Sequence, residues 1–253
     1  MVHLLPLPGA PRFTGSIDAV IATAAADARI LVDAGFPALM VENFGDAPFY
    51  ADSVPPETIA TMTRAVHEVA GLGVPVGVNV LRNDALAALV IATATGSRFI
   101  RVNVLTGLMY TDQGPIVGKA AELQRARATL APDVEIWADV MVKHATPPPG
   151  TDISQAAVDT VERGLADAVI VSGPGTGTAL DVEEALLVRQ AVAPRTRIVA
   201  GSGVDSGNID QVLSAVDSII VGSSIKVGQS PDNRPDPLRV KEFVEVAAER
   251  GLL

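Results

Sequence analysis

The sequence has no cysteine, so disulfides, thiolate metal sites and cysteine nucleophiles are excluded, and a reducing compartment is compatible. Basic residues are in deficit, 19 Lys and Arg against 29 Asp and Glu, for a net charge of −10 and a pI near 4.7. That field opposes nonspecific contact with nucleic acid or anionic lipid. It leaves room for an anionic small molecule, which local backbone dipoles can hold against an unfavourable net charge. No run reaches the roughly 18 unbroken apolar residues of a membrane helix. The N-terminal "MVHLLPLPGAP" is too short and too proline-rich for a signal peptide and lacks a basic n-region. A cytoplasmic protein without an integral membrane segment is therefore expected. Histidine is limited to three residues and lysine to four, so a stretch that carries both, "WADVMVKHA" at 137–145, stands out.

The chain has 253 residues, 48% hydrophobic and 19% charged, a globular composition with enough length to bury most of its unfolded surface. Short β-branched runs alternate with Ala-rich amphipathic stretches from end to end. Strands are predicted at Val2–Leu5, Ala38–Glu42, Val74–Leu81, Arg98–Val104, Val134–Met141, Ala168–Ser172, Arg197–Ala200 and Ser218–Val221. Helices are predicted near 17–34, 56–71, 84–95, 117–130, 153–165, 181–193, 206–215 and 237–250. Asp84, Asp181 and Asp205 are placed to cap helices, and Gly and Pro close several of them. Eight strands alternating with eight helices, with no linker, indicate an α/β protein built as a single (β/α)8 TIM barrel over residues 1–253. An open doubly wound sheet is the alternative, but it has a Gly-rich turn after its first strand, where this chain reads "LPLPGAP". A local echo, "VGVNVLRND" against "IRVNVLTGL", sets Asn79 and Asn103 at equivalent points of neighbouring strands; convergent barrel-strand sequence explains it equally well.

In such a barrel the C-terminal strand ends and the loops after them line the functional face. Those positions hold His3, Glu42, Asn43, Arg82, Asn83, Asn103, Asp139, Lys143, His144 and Ser172, while the strand starts are bland. The seventh and eighth strands end in "VAGSGVD" and "IVGSSIK", the two loops that hold phosphate in barrels with phosphorylated ligands. Gly201, Gly203 and Gly222 let the backbone approach an anion, and Ser202, Ser223 and Ser224 carry hydroxyl donors. The sixth-strand loop "VSGPGTGTALD" adds Ser172 and Gly173 on the same side. Glycine and serine are also ordinary loop residues, so the pattern predicts an anion cradle without naming what the phosphate is attached to.

On the fifth strand, Asp139, Met141 and Lys143 share parity and point one way if the strand continues, with Trp137 one layer lower. A lysine there serves as an acid or an electrostatic clamp, or as a Schiff-base nucleophile if desolvated; His144 suits proton transfer. The blander account is a buried Asp–Lys ion pair beside a loop histidine. His3 is at the mouth, although a histidine in an apolar strand is commonly a core residue, and His67, mid-helix, is read as surface. Glu42 and Asn43 open "ENFGDAPFY", which adds Asp46. Arg82 fits a carboxylate, a second phosphate or a salt bridge. Arg101 shares its strand with Asn103 and is read as buried and paired. Asp112, in the long loop "YTDQGPIVG", fits a lid. No cofactor is required by the sequence; Glu42, Asp112 and Asp139 could together hold one Mg²⁺, without any tight ligand motif.

Several of these blocks, "HLLPLPGAP", "ALMVENFGDAPF", "GVNVLRND", "FIRVNVLTG", "DQG", "ADVMVKHA", "DTVERGLADAVIVSG" and "SGVDSGNI", resemble the BtpA/SgcQ family from residue 2 to about residue 245. The resemblance implies a barrel of the ribulose-phosphate-binding superfamily, a link to photosystem I biogenesis through the cyanobacterial protein that names the family, and a link to sugar metabolism through other members. It carries over as candidates His3, Glu42, Asn43, Asp46, Asn79, Arg82, Asn83, Asp84, Asn103, Asp139, Lys143 and His144, with the loops at 172–173 and 201–203. Members carry several residues before the block that holds His3, so strand one is expected to be short at its base or to begin upstream. The expected function is an enzyme on a phosphorylated sugar or nucleotide-like molecule, using Asp139, Lys143 and His144 with Glu42 or His3 opposite, as an isomerase, lyase or transferase. A biogenesis factor that keeps the barrel as a scaffold is the alternative. A homo-oligomer through the outer helices is admitted by analogy alone.

Overall fold

The computed structural model describes residues 1–173, 175 and 178–252. Eight parallel strands form one curled sheet: β1 (Val2–His3), β2 (Leu39–Glu42), β3 (Val76–Asn79), β4 (Phe99–Val102), β7 (Glu135–Asp139), β9 (Ala168–Val171), β10 (Arg197–Ala200) and β11 (Ser218–Ile219), in that order. The backbone nitrogen of Met1 donates to the Val221 carbonyl at 2.8 Å, which brings the last strand's exit against the start of the first. The chain is therefore a (β/α)8 barrel of the TIM type, as its alternating pattern predicts.

Each barrel strand is buried on both sides, and its alternate residues serve two different interiors. Leu39, Val41, Val76, Val78, Ile100, Val102, Ile136 and Ala138 face the helices and join one large apolar cluster. Met40, Phe99, Ala168, Ile170, Val199 and Ile220 fill the inside of the barrel. Gly77 belongs to this inner set because the Phe99 ring occupies its side-chain space: a Cβ there would lie 2.1 Å from the ring. Phe99 in turn stacks on Trp137, with centroids 4.1 Å apart, so Trp137 forms the lower core layer expected of it. Above this layer the inward positions turn polar: Glu42, Asn79, Arg101, Asn103 and Asp139 are all buried.

The outer ring comprises α1 (Ile17–Ala34), α2 (Pro56–Ala70), α3 (Ala85–Thr95), α4 (Ala120–Leu130), α5 (Ile153–Val158, continued by a π turn at Asp159–Arg163), α6 (Val182–Val192), α7 (Ile209–Leu213) and α8 (Pro237–Glu249). Asp84 caps α3 by accepting from Ala87 N at 2.9 Å, and Asp181 caps α6 through Glu183 N and Glu184 N. Asp205 does not cap α7. It accepts from Gly207 N and Asn208 N in the preceding turn, and Asn208 occupies the cap position.

The main departure from the sequence reading lies after β4. The segment expected to be a long loop running into a helix from 117 folds as a hairpin, β5 (Leu108–Thr111) and β6 (Gly114–Val117), and α4 starts only at Ala120. β5 also pairs antiparallel with β8 (Ala145–Thr146), through Tyr110 with Thr146 and Thr111 with Ala145. A three-stranded sheet thus stands beside the barrel mouth.

Candidate functional site

Two cavities open at the C-terminal end of the barrel and share Glu42, Arg101 and Lys143 as a common wall. The smaller, about 80 Å³, is enclosed by Gly201–Asp205, Gly222–Ser224, His3 and Gln229. The larger, about 550 Å³, is bounded by Arg12, Phe44, Phe49, Arg82, Asp112, His144 and Asp232 among others.

The smaller cavity is lined by the two loops from which the sequence predicts an anion cradle. Gly203 has φ +73°, and a Cβ there would collide with the Thr178 carbonyl at 1.9 Å, so this turn requires glycine. Asn208 Nδ2 ties the Gly203 carbonyl at 2.7 Å, and Ser224 Oγ donates to the Val204 carbonyl at 2.7 Å, which joins the two loops. Ser224 therefore spends its hydroxyl hydrogen inside the protein and is not free to donate to a ligand as expected. Ser202 differs. It is only 8% exposed, and its Oγ has no hydrogen-bond partner among the described residues. Among those residues the backbone N–H groups of Ser202, Gly203 and Gly222 are also unengaged. Buried polar groups without partners are rare and costly.

Gly173 and Ser172 are not part of this wall. Gly173 packs against the carbonyls of Thr178 and Ala179, and Ser172 sits beneath Gly201, with its Oγ 3.5 Å from Asp139 Oδ1. Pro174, Thr176 and Gly177 of the same predicted loop lie outside the described residues.

Across the junction of the first and last strands, His3, Lys226 and Glu42 form a line of titratable groups. His3 Nε2 is 3.7 Å from Glu42 Oε1, and its Nδ1 is 2.9 Å from Lys226 Nζ. The Pro231 carbonyl lies 2.8 Å from that Nδ1 and accepts from Lys226 at 2.7 Å. An ammonium can only donate, so with Lys226 charged Nδ1 accepts and the ring proton sits on Nε2, toward Glu42. With Lys226 neutral, Nδ1–H can donate to Pro231 instead. Burial first, then the Lys226 charge, holds His3 well below its ordinary pKa. Burial likewise lowers Lys226 to about 8. Stacking on Phe44, with centroids 4.4 Å apart, fixes the imidazole plane. Lys226 is absent from the sequence-based candidates because it follows the eighth strand by several residues. Its scarcity as one of four lysines, inside an otherwise apolar and small-residue run, was the available signal.

Asp139 and Lys143 do not pair. Asp139 is gripped by Arg101, Nε to Oδ2 and Nη2 to Oδ1, both 2.8 Å, with both side chains at most 2% exposed. Asn103 Nδ2 adds 3.1 Å to Oδ2, and Asn79 Nδ2 donates to Asn103 Oδ1 at 3.1 Å, so the two asparagines of the sequence echo do meet. This saturation leaves Asp139 as the anchor of Arg101, not a free acid for proton transfer. It also disassembles the suggested Mg²⁺ trio: two or more donors already occupy the Asp139 carboxylate, and among the described residues no three His, Asp or Glu side chains gather for a metal.

Lys143 reaches the mouth by a different path from the one its parity suggests. β7 ends at Asp139, and Met141 (φ +51°) and His144 (φ +55°) are left-handed residues that turn the chain over the rim. Arg82 Nη2 holds the Lys143 carbonyl at 2.5 Å. Nζ of Lys143 has no hydrogen bond or ion pair among the described residues. Burial, and next the charge of Arg101, lower this lysine to about 8. Burial followed by the charges of Lys143 and Arg82 also lowers His144, which lines the larger cavity with Asp112 and Arg82.

Other predicted ligand groups are braces. Asn43 clasps the backbone of Leu81, Leu81 N to Oδ1 at 2.7 Å and Nδ2 to the Leu81 carbonyl at 3.4 Å, and also donates to Asp46. Asp46 accepts from Leu7 N at 2.8 Å; burial raises its pKa. Asn83 clasps Val104 in the same two-sided way, at 2.8 and 3.0 Å. These amides staple successive loops together behind the mouth. Asn43 and Asp46 line a separate cavity of about 330 Å³. His67 is exposed on α2.

The profile described as "BtpA family" matches residues 1–249. The Photosystem I biogenesis protein BtpA of Synechocystis sp. is 48% identical over 250 residues, covering 98% of this chain and 87% of that protein. Among solved structures, thiamine phosphate pyrophosphorylase from Pyrococcus furiosus aligns with a TM-score of 0.57 at 14% identity, covering 89% of each chain. Phosphoribosyl anthranilate isomerase from Thermus thermophilus aligns at 0.57 and 12%, covering 89% of this chain and 94% of the other. At such identities these two likenesses concern the fold. Among the described residues no helix is long and apolar enough to cross a membrane.

Proposed function

The chain belongs to the BtpA family, and from its mouth geometry we propose that it is an enzyme acting on a phosphorylated small molecule. The phosphate rests on Gly201–Gly203 and Gly222–Ser224, and the reacting part of the molecule extends past Lys143 into the larger chamber. The observation that carries this reading is Ser202: a buried hydroxyl without a partner, in a cavity walled by unengaged backbone amides and the cations Arg101 and Lys143. An anion in that space would satisfy every one of those donors. The cavity, about 80 Å³, is several times the roughly 10–15 Å³ that holds one water on the same measure. His3, Glu42 and Lys143 face the same space and supply proton transfer, a set that fits an isomerase, a lyase or a transferase. Arg82 and His144 then bind the far end.

Calorimetric titration and thermal shift with inorganic phosphate and ribose 5-phosphate test the reading. Stabilisation by both, lost in Ser202→Ala and Gly222→Val, is the expected result; no binding by any phosphorylated compound overturns it. The name of the cyanobacterial relative favours a second reading, an assembly factor that uses the barrel as a scaffold. If Lys143→Ala abolishes ligand chemistry but leaves a cellular assembly phenotype intact, that second reading prevails.

A further inference from the structure

Lys143 is unlike the other three lysines. Lys119 pairs with Asp52 and Lys241 lies 3.7 Å from Glu245, both on the surface. Lys226 is held by His3 and Pro231. Lys143 alone has no partner for its amine among the described residues, and it stands in the wall common to the anion cradle and the larger chamber. Its backbone is fixed on both sides, by Arg82 on its own carbonyl and by the left-handed residues Met141 and His144. A positioned, buried amine with no direct hydrogen bond or ion pair, where the charges of Arg101 and Arg82 oppose those of Glu42 and Asp139, is the arrangement that turns a lysine from a clamp into a nucleophile.

We propose that the ligand is a phosphorylated aldehyde or ketone, and that Lys143 attacks its carbonyl carbon to form a Schiff base; this rests on the phosphate reading of the cradle. The neutral amine adds to the carbonyl carbon, forming a C–N bond while the C=O π electrons move to oxygen, which takes a proton. The nitrogen then loses a proton and the hydroxyl, protonated again, leaves as water. Amine plus carbonyl give imine plus water, with no oxidant or reductant. His3 and Glu42, in the wall of the same small cavity, are placed to move those protons. The protonated imine draws electrons from the adjacent carbon, so a C–H or C–C bond there can break, which favours isomerase or lyase chemistry over group transfer. The lowering of Lys143 to about 8 leaves about a tenth of it unprotonated at neutral pH, far more than an ordinary lysine.

The test is reductive trapping. The full chain is incubated with dihydroxyacetone phosphate, reduced with sodium borohydride, digested and mapped by mass spectrometry over its four lysines. The expected result is an adduct on Lys143, formed at least about tenfold faster than on Lys119 or Lys241, and slowed by glycerol 3-phosphate, which has the phosphate but no carbonyl. Glycerol 3-phosphate binding without any adduct overturns the Schiff base and spares the phosphate reading. An adduct on Lys143 that glycerol 3-phosphate does not slow, with no binding of glycerol 3-phosphate, overturns the phosphate reading. Glycolaldehyde, a carbonyl without phosphate, probes the amine independently: labelling of Lys143 no faster than of Lys119 and Lys241 overturns the proposal whatever the cradle binds. Lys143→Arg serves as the blank, and because the map is read on the unaltered chain, it does not depend on a variant folding.

Discussion

Lys226 Nζ lies 2.9 Å from His3 Nδ1, joining residues 223 positions apart in the chain across the seam of the barrel. The lysine's charge decides which ring nitrogen of His3 carries the proton, and it depresses the histidine's basicity second only to burial. In Lys226→Met the His3 pKa should therefore rise toward its ordinary value. With three histidines in the chain, an NMR titration of the imidazole resonances resolves each one. A His3 titration identical to wild type would show that the Lys226 charge does not act on the ring.

Ser202→Ala should separate stability from binding. Removing a buried hydroxyl that has no partner should leave stability unchanged or raise it by up to about 1 kcal/mol, whereas loss of a donor to a charged ligand costs about tenfold or more in affinity. Denaturant melts and calorimetry with inorganic phosphate on one preparation give both numbers. A destabilised Ser202→Ala with unaltered affinity would mean the hydroxyl serves packing.

Anion affinity should fall as pH rises through about 8, the value to which burial first brings both Lys143 and Lys226. Below that pH both ammonium groups are charged and favour an anion; above it the charge is lost. The same shifts should make the ligand-free fold gain stability between about 8 and the ordinary lysine range, since there the unfolded chain holds protons that the folded chain has released. Sulfate, whose charge is constant over this range, is the suitable probe. Affinity independent of pH would show that neither lysine faces the anion.

The Arg101–Asp139 pair is built for rigidity. Breaking it in Arg101→Met should destabilise the barrel by about 3–5 kcal/mol, because a buried carboxylate is stranded. Replacing both by leucine should restore a substantial part of that loss. Chemical denaturation of the three variants checks both statements; a single variant as stable as wild type would contradict the buried, bidentate geometry.

The barrel was legible because its signal is repetitive: each strand writes the same apolar alternation, and polar residues cluster only at one end. That the loops after the seventh and eighth strands line a cavity at the mouth was legible for the same positional reason. What escaped was grip. Asn43 and Asn83 read as ligand donors because a sequence displays an amide but not the Leu81 and Val104 backbones that it clasps. Asp139 read as an acid in the upper barrel, with an ion pair to Lys143 as the blander account, whereas it is held by Arg101 from the neighbouring strand β4. Lys143 lines the mouth although its strand stops at Asp139, by way of the rim turn and not by the strand parity that the sequence suggests. The hairpin was missed because a short antiparallel excursion with a turn at Asp112 and Gln113 has the same polar, glycine-punctuated look as a loop.

The pairing of β5 with β8 fastens the hairpin to the chain immediately after His144. The hairpin turn at Asp112, on the edge of the larger chamber, is therefore one residue from the Thr111–Ala145 pairing, which itself lies two residues after Lys143. The part of the chamber wall that Asp112 forms and the part that Lys143 and His144 form thus share one hydrogen-bonded backbone frame, although more than thirty residues separate them in the chain.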